Sequence, residues 1–348
     1  MLFVVTFANS FEKSSVSELK SMCSFSVIDS YRNTLIIDSD KDISELVLQK
    51  PPTFIQSAFR VYNNGKIYTN RYLDSLYECI THSGVSKDKA LIIECCDINS
   101  KTEYSAKDIE VYVGLKLEDD GYLVTMRDPT LLLYIILVNM NCYVGYTNYR
   151  EKLKVDPLRH DRLNHKVSRS ELKLRQAIDQ FNIKTGGIAM DIGAAPGGWS
   201  RLLAKRGYRV VSIDWAEMDS KRLSESGLSV KVIGKDDING IGDLIYKYDI
   251  IHVKTNEYLN FPIHINLITN DTNMHPHESA KLLNRYANIL NKDGDAIMTV
   301  KCVSRNVDNF IKEAVERMPD FELIAAKVLP SNRQEVTLHL KPNNSGVP

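Results

Sequence analysis

Nothing in these 348 residues pulls the whole chain towards a polyanion: 44 Lys and Arg balance 44 Asp and Glu, for a formal net charge of zero. Binding to nucleic acid through bulk charge is thereby excluded, and an RNA binder of this balance needs a local basic patch. Six cysteines (Cys23, Cys79, Cys95, Cys96, Cys142, Cys302) show no Cys-x-x-Cys spacing. Most lie in apolar runs and read as buried free thiols, which suits a reducing, cytoplasmic setting. Long apolar runs are missing too. The most apolar one, residues 131–140, is far too short to span a bilayer. The apolar start, residues 1–7, has no basic flank and reads as a strand, not a signal peptide. There is no Gly-Lys-Ser/Thr phosphate loop and no Gly-x-Gly-x-x-Gly dinucleotide fingerprint. His275-Pro276-His277-Glu278 has no cysteine partner nearby, so no metal site is expected.

What is present is ordinary globular material, 43% hydrophobic and 25% charged, enough for two or three domains. The chain is organised around Asp191-Ile192-Gly193-Ala194-Ala195-Pro196-Gly197-Gly198-Trp199-Ser200. An apolar run, residues 188–192, enters a small-residue turn, and a helix-like stretch, residues 200–205, leaves it. Strand, glycine turn and helix make the first βα unit of a nucleotide-type α/β fold. A second strand, residues 208–213, ends at Asp214. A carboxylate placed there can accept hydrogen bonds from ribose hydroxyls. A tight turn in an ordinary parallel sheet would explain the glycines alone. It would not explain their agreement with the acidic strand end, which points to a nucleoside-containing ligand.

The run Asp-Ile-Gly-Ala-Ala-Pro-Gly-Gly-Trp-Ser resembles motif I of the FtsJ-like (RrmJ/RlmM-type) RNA ribose 2′-O-methyltransferases. The resemblance implies a Rossmann-like domain over residues 167–342 that binds S-adenosyl-L-methionine. It implies that Ser170, Ala195, Pro196, Gly197, Gly198 and Trp199 line the methionine and ribose region and that Asp214 takes the ribose hydroxyls. Two runs compete for the third strand, residues 229–233 followed by Asp236, and residues 248–253 followed by Asn256. Family spacing favours the second, with Asn256 holding the adenine where the family usually has Asp; the choice between Asn256 and Asp236 stays open.

Four further positions match the family's catalytic tetrad. Lys173 lies in Ser168-Arg169-Ser170-Glu171-Leu172-Lys173-Leu174, Asp271 closes the fourth strand, Lys301 closes the fifth, and Glu335 opens the last. Asp271 would also lie beside the cofactor. The chemistry asks for such groups, because a ribose hydroxyl must lose its proton as it attacks a sulfonium methyl group. Lys301 is the expected base, its pKa lowered by the nearby Lys173 cation. Asp271 would orient Lys301, and Glu335 and Lys173 would steer the ribose. No Asn-Pro-Pro-Tyr-like motif follows strand four, which argues against base methylation.

The first half reads as α+β. Residues 1–60 run β-α-β-β-α-β, as in a ferredoxin-like module. Residues 61–149 run helix (74–83), strand (90–95), helix (105–116), strand (122–126), then a strand pair. Their short motifs are similar to the THUMP RNA-binding pattern. Residues 1–150 carry a charge of about −4 and residues 151–175 about +4, so the linker at residues 150–166 is an expected phosphate track. The expectation is an RNA 2′-O-ribose methyltransferase acting on ribosomal RNA. The alternatives are a tRNA methyltransferase and a non-catalytic S-adenosylmethionine- or RNA-binding protein.

Overall fold

The computed structural model describes residues 1–8, 11–99, 102–149, 168, 170–302 and 307–343. Two compact units divide at Lys154 and Val155. The expected linker at residues 150–166 lies outside the described residues.

In the first unit, β1 (Leu2–Phe7), α1 (Glu12–Met22), β2 (Phe25–Tyr31), β3 (Thr34–Ser39), α2 (Ile43–Gln49) and β4 (Ile55–Arg60) follow the expected β-α-β-β-α-β order. Their antiparallel sheet runs β2-β3-β1-β4. Asp42 caps α2, accepting from the Ser44 and Glu45 amides at 3.0 and 3.3 Å. The Glu18 carboxylate on α1 accepts from the amides of Thr53 (2.6 Å) and Phe54 (2.9 Å), which pins the chain entering β4.

A second sheet contains β5 (Asn63–Lys66), β6 (Leu91–Asp97), β7 (Leu131–Val138) and β8 (Asn141–Asn148), in the order β5-β8-β7-β6. Helices α3 (Tyr72–Thr81) and α4 (Ala106–Asp119) accompany it, and Ser105 and Asp108 close a capping box on α4. Residues 122–126 do not make the expected strand. They contribute one bridge, Val124 to Leu91. The fourth strand is instead β5, whose Asn-Asn-Gly-Lys sequence carries no apolar alternation. Faces of the two sheets share a core of Val4, Ile36, Phe59, Ile136, Val138 and Tyr143. Gly145 permits that approach: a Cβ there would lie 2.2 Å from the Arg60 carbonyl oxygen.

The second unit is built on one eight-stranded sheet. Its elements are α5 (Glu171–Gln180), β9 (Gly187–Ile192), α6 (Gly198–Lys205), β10 (Tyr208–Asp214), α7 (Ser220–Glu225), β11 (Val230–Ile233), α8 (Ile241–Leu244) and β12 (Ile250–Lys254). They continue with β13 (Ile265–Asn270), α9 (Pro276–Asn284), β14 (Leu290–Lys301), α10 (Val307–Glu316), β15 (Phe321–Lys327) and β16 (Glu335–Pro342). The strand order is β11-β12-β10-β9-β13-β14-β16-β15, parallel throughout except for the contacts of β16. This is the expected Rossmann-like sheet, with its order reversing between β9 and β13.

Both competing third strands exist: β12 lies beside β10, and β11 forms the edge outside it. Helix α9 ends at Asn284. Leu290 pairs with Ile265, and residues 290–301 form one strand that runs through Lys292-Asp293-Gly294. Among the described residues no helix is long and apolar enough to cross a membrane.

Candidate active site

The glycine turn sits at the carboxyl end of β9, at the point where the strand order reverses and open α/β sheets bind ligands. Gly193 (φ 78°) and Gly197 (φ 108°) both occupy the left-handed region that disfavours a side chain. Gly193 donates to the Ile213 carbonyl at 2.9 Å, which joins the turn to β10. A Cβ on Gly193 would lie 2.9 Å from Thr272 Cγ2, so the turn also abuts the loop after β13.

Beneath the turn, Asp191 is almost fully buried. Ser200 donates to its Oδ2 at 2.6 Å and Thr269 to its Oδ1 at 3.0 Å. Burial is the largest influence on this carboxyl and pushes it up to about 6, against the two hydroxyl donors. Asp191 thus braces β9, α6 and β13 around one acceptor. The sequence reading treated it only as part of the motif; a carboxylate followed nine residues later by a serine on the next helix was the available signal.

A cavity of about 650 Å³ opens beside the turn. Asp214, Asn256, Asp271, Gly193, Trp215 and Tyr286 are among its walls. Asp214 Oδ2 accepts from the Ala195 amide at 3.0 Å and Oδ1 from the Ala216 amide at 2.9 Å. Each oxygen retains a second lone pair. Asp214 therefore both shapes the turn and faces the cavity. His252 on β12 sits under it, with Nε2 3.0 Å from the Asp214 carbonyl oxygen, and burial holds this imidazole below its usual range.

Of the expected cofactor residues, Ala195, Asp214, Asn256 and Asp271 line the cavity. Asp236 is not among the lining residues; it lies in the turn after edge strand β11. Pro196, Gly197, Gly198, Trp199 and Ser170 are not among the residues lining this cavity. Trp199 belongs to the core with Leu174, Leu203 and Val210, and its indole N–H donates to the Ser170 carbonyl at 2.8 Å. Gly198 lies against Ser168, whose Oγ would be 2.1 Å from a Cβ there. Ser170 begins α5, but its hydroxyl caps nothing; it pairs with Ser168 Oγ at 2.6 Å.

Three members of the expected tetrad meet directly. Lys173 Nζ on α5 lies 2.9 and 3.1 Å from the two Asp271 oxygens and 3.0 Å from Glu335 Oε2. Asp271 Oδ1 also accepts from Thr299 Oγ1 at 2.5 Å. Desolvation acts on the Lys173 ammonium most strongly, pulling it down, yet the two carboxylates together outweigh burial and leave its pKa raised. Lys173 is therefore a held cation.

The fourth member, Lys301, pairs across from Glu335 in the β14–β16 register. Its Nζ donates to the Thr272 carbonyl at 2.9 Å and to Asn273 Oδ1. Asp271 is thus in direct contact with Lys173, whose charge is matched by two carboxylates. In the His275–His277 pair, His275 Nδ1 caps α9 by accepting from the His277 amide at 3.3 Å.

A glycine turn at the reversal of a doubly wound sheet, an acidic second strand and an antiparallel β16 define a Rossmann-like domain with a nucleotide-type binding site. Residues 166–317 match the model of the FtsJ-like methyltransferase family. An uncharacterized protein of Methanocaldococcus jannaschii is 31% identical over 159 residues, 44% of this chain and 38% of that protein. The ribosomal RNA large subunit methyltransferase M of Shewanella sp. (strain W3-18-1) is 33% identical over 160 residues, 42% of this chain and 44% of the relative. The matches thus span less than half the length of either relative. Among solved structures, TrmN from Thermus thermophilus aligns over 99% of this chain and 100% of its own, at 14% identity and a TM-score of 0.38.

Proposed function

We propose that the chain is an S-adenosyl-L-methionine-dependent RNA 2′-O-ribose methyltransferase acting on ribosomal RNA. The observation that carries this reading is the Lys173–Asp271–Glu335 cluster, set beside a cavity walled by Asp214 and Asn256. The cavity suits the methyl donor. Its volume lies within the range of roughly 300–1,000 Å³ typical of small-molecule sites. Asp214 offers free lone pairs to a ribose diol, and the Asn256 amide oxygen can accept from an adenine amino group. The bound donor would supply an already activated methyl group.

The protein's task is then to orient the hydroxyl and take its proton. Lys173, fixed by two carboxylates, presents positive charge to the incoming oxygen. Glu335 faces Lys301 across the strand pair and helps seat the ribose. Lys301 is the proposed proton acceptor. Its Nζ is held in place by the Thr272 carbonyl and Asn273 Oδ1, which fixes the nitrogen beside the Lys173–Asp271–Glu335 cluster.

The similarity of the catalytic half to a ribosomal RNA methyltransferase supports the substrate assignment. We further propose that the first unit is a THUMP-type RNA-binding region and that the enzyme works in the cytoplasm. The deciding experiment supplies the full chain with methyl-labelled donor and RNA pools from cells lacking the protein. Label at a ribose 2′-oxygen of ribosomal RNA, scored by resistance of the neighbouring bond to alkali, is the expected result. Label only on tRNA would overturn the substrate; label on a base would overturn the chemistry.

A further inference from the structure

We infer that Thr299 is a positioning residue for methyl transfer, aiming the Asp271 carboxylate at the Lys173 ammonium. This rests on the function proposed above. Thr299 lies on β14 between Met298 and Val300, both fully enclosed, and is itself 3% exposed. Successive strand residues point to opposite faces, so Thr299 and Lys301 share the face turned towards the site. Its hydroxyl hydrogen goes to Asp271 Oδ1 at 2.5 Å, a short bond to a charged acceptor.

The Lys173 contacts alone do not fix the carboxylate. An ammonium is a compact, rotatable donor and tolerates several orientations of its partner. A threonine hydroxyl on a strand is a stiff donor, because branching at Cβ restricts its rotation. Together they grip Asp271 from β14 on one side and from α5 on the other. The backbone adds a third restraint, the Asp271 amide donating to the Ile192 carbonyl at 3.3 Å. A carboxylate placed this way sets where the Lys173 charge sits relative to Glu335 and the substrate oxygen.

The test compares Thr299→Val, which keeps the shape and removes the O–H, with Thr299→Ser, which keeps the O–H and removes a methyl group. With ribosomal RNA and methyl donor, Thr299→Val should lose about tenfold or more in kcat, while donor affinity by calorimetry and the melting temperature stay close to wild type. Thr299→Ser should recover most of the rate. Equal rates for Thr299→Val and wild type would overturn the inference. So would an equal fall in both variants, or a fall confined to donor binding. A second reading needs no activity: crystal structures of wild type and Thr299→Val should show the Asp271 carboxylate rotated in the variant. An unmoved carboxylate overturns the role of Thr299. An inactive wild type with a rotated variant carboxylate overturns only the assigned function.

Discussion

Replacing Lys173 by methionine probes the cluster most directly, because length and bulk are kept and only the charge goes. In the wild type the ammonium lies within about 3 Å of carboxylates on both sides, and all three side chains are largely buried. Those contacts allow the nearest Asp271 and Glu335 oxygens to be no more than about 6 Å apart. Without the cation, two negative charges at that spacing repel by about 3 kcal/mol at an effective dielectric constant of 20. That equals about two pKa units, enough to raise one carboxyl of the pair towards neutrality.

The sign follows. A carboxyl whose folded pKa is raised above its unfolded value is tolerated when protonated at low pH and costs stability as pH rises through the folded value. Relative to wild type, Lys173→Met should therefore be destabilised by about 3 kcal/mol more at pH 8 than at pH 4. The wild-type lysine adds no slope in that window, since its raised pKa places its own titration above it. Urea unfolding at both pH values measures the difference. A deficit that is flat across the range, or larger at pH 4, would show that the carboxylates do not meet at Lys173 and would refute the reasoning. Methyl transfer should be lost at both pH values.

Lys301→Ala should abolish methyl transfer while donor affinity, followed by calorimetry, stays near the wild-type value; retained activity would remove Lys301 as proton acceptor. Asp214→Ala removes a cavity wall and the acceptor for two turn amides, so donor affinity should fall at least about tenfold, roughly the worth of one charged hydrogen bond. Asp191, with its carboxyl pushed up to about 6, costs the fold stability as pH rises from the unfolded value through that point, by about 3 kcal/mol in all. Asp191→Asn should thus gain on wild type between pH 4 and pH 7 in urea titrations, and parallel stability curves would contradict the burial argument.

The sheet of the second unit was legible because its strands are apolar runs punctuated by glycine and acidic ends, as at residues 188–192 and 208–214. The positions of Lys173, Asp271 and Glu335 were legible through the resemblance to the FtsJ-like tetrad, which places each near the end of an element. Their partners were not. Which carboxylate reaches which ammonium depends on side-chain reach across α5, β13, β14 and β16, and no spacing along the chain encodes it. Thr299 was invisible for that reason too: in the sequence it is one more β-branched residue in a strand. The segment at residues 122–126 misled through its own apolar content, whereas β5, made of Asn63-Asn64-Gly65-Lys66, takes its strand form from pairing with β8. Trp199 drew attention by its place in the motif, yet its bulk is spent on the core.

That buried indole has a consequence for how the site is assembled. Trp199 leaves the glycine turn within the first turn of α6, and its N–H holds the carbonyl of Ser170, one helical turn before Lys173. The Lys173 amide in turn closes on that same Ser170 carbonyl at 2.9 Å. One oxygen atom is therefore the common reference point for the glycine turn and for the first turn of the helix that carries Lys173. The turn and the backbone of Lys173 thus share a single mechanical zero.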